Sequence, residues 1–172
     1  MRYLVVFLFF SSTIYGQSTV MINLTLPSVA KMDVEPNKNG FNLALTAPSE
    51  AGNGITNQTT NSSKWINFTS AVTPGYTRAI SANYSGTALS GLDIIMEIAS
   101  HSGGGAGARG NSVSSIILSN SSQTIISGIG GAYTGNGINN GYNLTYSLDV
   151  TDFSLLRNAS KSLTVVFTMS DN

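Results

Sequence analysis

The chain of 172 residues has no cysteine, one histidine, one tryptophan and four prolines. Without cysteine there is no disulfide framework, no thiolate nucleophile and no sulfur ligand for a metal. A lone histidine, His101, excludes the common zinc sets, which draw on further His or Cys ligands. Charge is nearly as scarce, with 8 basic and 8 acidic side chains and a net charge of zero. No basic stripe is available to neutralise phosphates, so nucleic acid is not expected as a partner. No polybasic run addresses anionic lipid. Nothing calls for a cofactor or a bound metal. Helical periodicity is nearly absent, as is any apolar run of the roughly 20 residues that a membrane-spanning helix requires.

What is present begins with an export signal. Arg2 supplies a short basic region, Tyr3–Phe10 a compact apolar one, and Ser11–Gly16 a small polar stretch. Residues 1–16 therefore read as a signal peptide cut near Gly16-Gln17, which places the mature chain outside the cytoplasm, secreted or at the cell surface. Ile14 stands where a small residue is usual, so the cut can shift by a residue or two. Residues 17–172 form one domain by length, long enough to bury a core without staples. This remainder is not expected to be embedded in a membrane.

Period-2 alternation recurs along it. Val20, Ile22, Leu24 and Leu26 alternate with polar neighbours or Met21. Phe41–Leu45, Arg78–Tyr84, Leu92–Ile98, Tyr142–Leu148 and Leu163–Met169 repeat the pattern. Lys64–Thr69, Ser114–Leu118 and Thr124–Ile126 add shorter strands. About nine strands with one apolar face each imply an all-β antiparallel sandwich, immunoglobulin-like or jelly-roll. Gly-, Asn- and Pro-rich spacers mark the turns, Asn140-Gly141 most clearly. Asp149–Ser160 breaks the alternation and suits a short helical turn. Asn-x-Ser/Thr triplets recur, for example at Asn23, Asn67 and Asn143, as a consequence of an Asn-, Ser- and Thr-rich composition.

Few residues point to chemistry. The run Gly103–Gly110 lacks the Lys-Ser/Thr and the helix of a phosphate cradle, so it reads as a flexible hairpin tip. The run Gly128–Gly137 reads as a packed loop closing one end of a sandwich. His101 with Asp93 and Glu97 is an arrangement that acid–base hydrolysis could use, and the pairs Asp33/Glu35 and Asp93/Glu97 have a spacing within reach of paired-carboxylate chemistry, although a solvated strand face is the simpler expectation. Trp65, Tyr133 and Tyr142 are the candidate ligand-binding residues, since aromatic rings stack on sugar faces. The simplest expectation for a lone Trp is nevertheless the core. No residue is assigned as catalytic and none as a metal ligand.

The terminal strands carry a resemblance. Thr19-Val20-Met21-Ile22-Asn23-Leu24-Thr25-Leu26-Pro27 and Leu163–Asp171 resemble the first and last strands of small bacterial surface sandwich subunits of the spore coat U and archaic fimbrial type. This chain departs from that type in lacking cysteine. The resemblance implies a subunit able to donate a strand to a neighbour's incomplete sheet. Ser18–Leu26 has the length and alternation of such a donor, although pairing within its own sheet is the simpler expectation. The function implied is thus non-enzymatic: an exported surface structural or adhesion subunit, fimbrial in type, pairing with copies of itself or other surface subunits. One alternative is a secreted glycan-binding module using the three aromatics. The other is a hydrolase built on Asp93, Glu97 and His101.

Overall fold

A computed structural model of the chain describes residues 16–57 and 59–172. The signal segment falls almost wholly outside these residues. In chain order the strands are β1 (Val29–Glu35), β2 (Leu45–Thr46), β3 (Thr56–Asn57), β4 (Asn61–Ala71), β5 (Arg78–Ser85), β6 (Leu92–Ile98) and β7 (Ala106–Gly107). Then follow β8 (Asn111–Ser112), β9 (Ser115–Ile117), β10 (Gln123–Ile129), β11 (Ala132–Tyr133), β12 (Tyr142–Val150) and β13 (Thr164–Asp171). A single 3-10 turn, Phe153–Leu155, is capped by Asp152, whose carboxylate accepts from Ser154 N–H. It lies in the stretch where the alternation breaks.

Two antiparallel sheets make the sandwich. The larger runs β1-β4-β12-β6-β9, with β11 and β7 extending it beside the far end of β4. The smaller runs β13-β5-β10-β8. Alternation decides the faces. In β4, Ile66 and Phe68 point inward, while Trp65 and Thr69 point out. Met96 and Ile98 of β6, Leu144 of β12 and Ile80 and Ala82 of β5 complete the facing layers. In β10 the register shifts between Thr124 and Ile126, and this bulge lets the consecutive Ile125 and Ile126 both be fully buried. Each such aliphatic side chain stabilises the fold by about 1.5–3 kcal/mol.

Four expectations are corrected. Val20–Leu26 is not a strand of its own sheet: residues 16–28 lie in no strand of the described structure. Val29–Glu35 takes the edge position instead, with Ala30, Met32 and Val34 alternating against Lys31, Asp33 and Glu35. Of Phe41–Leu45 only Leu45 enters a strand, and Phe41 and Leu43 pack as half-buried coil against the core. Trp65 is half-buried on the outer face rather than in the core, because Lys64 occupies the inward phase beside it.

The fourth correction concerns Gly103–Gly110, which is a packed layer and not a loose tip. β7 pairs with β11, so two glycine-rich segments lie backbone against backbone. Gly105 has φ +102°, and a Cβ there would sit 2.3 Å from the Tyr133 carbonyl oxygen. Glycine is required because only its absent side chain permits both the angle and the approach.

Candidate functional site

One side of the sandwich is left open. β1 pairs only with β4, and β13 only with β5, so each presents an unpaired backbone edge among the described residues. The two edge strands face each other from opposite sheets and run antiparallel. At one end Arg78 holds them together. Its side chain is buried, and Nε donates to Asp171 Oδ1 at 2.6 Å. Nη1 donates to the Val29 carbonyl, to Ser70 Oγ at 3.1 Å and to the Ala71 carbonyl at 3.3 Å, and Nη2 to Ser28 Oγ at 2.9 Å. The guanidinium fork thus joins the start of β1 and the end of β4 to the start of β5 and the end of β13. Only a planar group with several fixed donors can do this.

Away from Arg78 the edges part over an apolar groove of about 730 Å³. Met32 and Val34 form one wall, and Leu163, Val165 and Phe167 the other. The floor is the inner face of the larger sheet where the smaller one no longer covers it: Leu92 and Ile94 of β6, Tyr146 and Leu148 of β12. Phe41 closes the far side, its ring 4.8 Å from that of Tyr146. Burial pushes the Tyr146 hydroxyl well above the ordinary tyrosine range.

Lys64 also reaches this floor. It is buried, and Nζ donates to the Asn37 carbonyl at 2.9 Å and to Asn37 Oδ1 at 3.1 Å, tying the turn after β1 to β4. At the rim, Lys38 pairs with Asp33 at 3.3 Å. A hydrogen bond from the Val34 N–H, with the Lys38 contact second, holds the Asp33 carboxyl below its usual range.

Ahead of β1 the chain carries an exposed apolar strip. Val20 is 85% exposed, Ile22 75%, Leu24 91% and Leu26 84%. Such a run of exposed aliphatics is unusual on a protein surface. Residues 16–28 bear no charged side chain.

The sequence-derived candidates do not converge. Tyr142 is buried in the core, with its hydroxyl shared between the carbonyls of Arg109 at 2.9 Å and Gly110 at 3.1 Å, so it cannot stack on a ligand. Tyr133 is 52% exposed and shares the outer face with Trp65, near Thr69, its register partner. The hydrolase trio stays apart. Asp93 and Glu97 lie four residues apart on the outer face of β6, about 13 Å along the strand. His101 meets Tyr142 edge-on, with ring centroids 5.7 Å apart, and its ring nitrogen Nε2 lies 3.4 Å from the Thr134 carbonyl oxygen. No group of three His, Asp and Glu side chains comes together among the described residues.

Sequence reasoning missed the groove, Lys64 and Arg78. Both cations carry a signal, since each occupies the inward phase of an otherwise apolar alternation. No protein-family model, no curated protein and no solved structure matches the chain. The functional reading therefore rests on this geometry.

Proposed function

We propose that the protein is an exported, non-enzymatic surface subunit that assembles by laying Ser18–Leu26 of one copy into the groove of the next. The observation that carries this reading is the pairing of two unmet needs in one chain. The extension exposes an alternating apolar face that nothing in its own domain covers. The groove is apolar, and the strands flanking it offer unpaired N–H and C=O groups. An extended peptide satisfies both, because its backbone can bond an edge while alternate side chains fill the floor. An uncharged segment suits a floor of Leu92, Ile94, Tyr146 and Leu148, where Lys64 is already bonded to Asn37.

The magnitudes are consistent. Burying Val20, Ile22, Leu24 and Leu26 contributes about 6–12 kcal/mol at about 1.5–3 kcal/mol each. Association costs roughly 4–15 kcal/mol in lost freedom, so the four side chains and the backbone bonds are needed together. Removal of any one large side chain is then felt strongly. The test is sedimentation velocity of residues 17–172 against the Ile22→Asp/Leu24→Asp variant. The native chain is expected to form concentration-dependent oligomers, and the variant to be monomeric, with unchanged strand content and a lower melting temperature because its groove stays empty. A native chain that stays monomeric at high concentration would overturn the proposal.

A second reading is favoured by one observation. Trp65 and Tyr133 both stand on the outer face of the larger sheet, with Lys31, Asp33 and Asn143 on neighbouring strands. Their rows are four residues apart on β4, about 13 Å. Two aromatics at that spacing among polar groups suit a sugar chain laid along the strands. Loss of glycan-array binding in Trp65→Ala would support an adhesive face, and an array blank for the native protein would dismiss it.

A further inference from the structure

On the strand-donation reading, we infer that Pro27, Ser28 and the Arg78 clamp bar the extension from its own groove, so that the partner must be a second copy of this chain. The extension joins the domain at the closed end, where Ser28 Oγ accepts from Arg78 Nη2 and donates to the Ala71 carbonyl at 3.2 Å. To fill its own groove by pairing with β1, the strand it leads into, the chain must reverse immediately before β1 and run back along its free edge. Reversal meets two obstacles, one of turn geometry and one of register.

Two-residue hairpin turns need a positive φ at their first central residue. Pro27 would hold that place, and its ring fixes φ near −65°. Ser28 and Val29 cannot shift to serve instead, since Arg78 bonds both and Val29 is paired with Ala71. The register is the stronger obstacle. A Pro27-Ser28 turn would set Leu26 opposite Val29, Leu24 opposite Lys31, Ile22 opposite Asp33 and Val20 opposite Glu35. Directly opposite residues share a face. On β1 the groove-facing residues are Met32 and Val34, so this register turns Val20, Ile22, Leu24 and Leu26 outward, onto the face of Lys31, Asp33 and Glu35, and offers the groove only Met21 among polar Thr19, Asn23 and Thr25. A three-residue loop, Leu26-Pro27-Ser28, would restore the face. Its last residue must be left-handed, which glycine favours and serine does not. Among the described residues Asn139 is the sole non-glycine with positive φ, so Ser28 is not already in that conformation. A five-residue loop also restores the face, but it spends Leu24 and Leu26 in the turn. A second copy meets none of these constraints, because its segment arrives unattached to the closed end.

The test repairs the turn. Pro27→Asn/Ser28→Gly permits the three-residue loop and sets Leu24, Ile22 and Val20 opposite Ala30, Met32 and Val34. A second variant inserts six Gly/Ser residues between Pro27 and Ser28, leaving the clamp intact and freeing the register. Sedimentation velocity and melting are measured for both, for residues 17–172, and for the chain lacking residues 17–26. The repaired chains are expected to be monomeric, and to melt higher than the deletion because the groove is filled from within. If the native chain self-associates and both repaired chains do so equally, this inference is overturned. If the native chain does not self-associate and melts with the deletion, strand donation itself is wrong.

Discussion

Replacing Gly105 with alanine tests whether the glycine-rich end of the sandwich is a rigid layer. Two costs follow from the geometry. A φ of +102° is strained for any residue with a Cβ, which costs roughly 1–2 kcal/mol. The new Cβ would meet the Tyr133 carbonyl oxygen at 2.3 Å and the Thr134 Cα at 2.9 Å. Backbone atoms cannot rotate aside, so β7 and β11 must separate by about 1 Å and weaken their ladder, at about 0.5–1.5 kcal/mol per hydrogen bond. The total is about 2–4 kcal/mol, or about 5–15 °C in melting temperature for a domain of this size. Gly128→Ala is the matched control. Its φ is +73°, and nothing lies within 4 Å of the added atom, so only the backbone cost of about 1 kcal/mol applies. Differential scanning calorimetry of the two variants reads the difference directly. Equal losses, or a Gly105→Ala loss below about 1 kcal/mol, would refute the reasoning by showing that the layer yields.

Other expectations follow from the groove and its clamp. Arg78→Met should cost about 2–4 kcal/mol, because it removes the donors to the Val29 carbonyl, Ser70 Oγ, Ser28 Oγ and Asp171 Oδ1 at once. It should also speed amide exchange at the start of β1, and unchanged exchange there would contradict the clamp. Tyr146 and Tyr142 both have hydroxyls raised by burial. A raised pKa means that the folded state keeps its proton where the unfolded state releases it. For Tyr146, whose shift is large, stability is therefore intact below about pH 10 and falls above it by up to about 1.4 kcal/mol per pH unit, and Tyr142 acts in the same direction. Tyr146→Phe should flatten that alkaline slope in a denaturant–pH series, and a slope identical to the native one would count against the burial.

Much of the sandwich was legible because its strands alternate cleanly. Leu92–Ile98 and Tyr142–Leu148 could be read residue by residue, since one face meets the core and the other meets water. Val20–Leu26 alternates just as well, and there the same signal misled. Periodicity reports which face wants burial but not which molecule buries it. Trp65 misled for a different reason. Residue type suggested the core, whereas phase relative to Ile66 and Phe68 placed it outside. The glycine runs were read as flexible because composition alone does not show that two such runs pack on each other. Lys64 and Arg78 were readable in principle, as cations in apolar phase, but their partners Asn37, Ser28 and Asp171 are distant in sequence. The groove was invisible for the same reason, being a property of two strand edges far apart in the chain.

The central claim, that one copy's extension occupies another copy's groove, can be read from a mixed disulfide. The chain has no cysteine of its own, so each introduced thiol is unique. Leu24→Cys places one on the extension, Val165→Cys one on the groove wall, and Thr69→Cys one on the outer face as a control. Each single variant of residues 17–172 is purified with a distinct mass tag, mixed in pairs and gently oxidised. The Leu24→Cys and Val165→Cys pair should give a mixed dimer at least ten times faster than Leu24→Cys with Thr69→Cys. Equal rates for the two pairs would contradict the account.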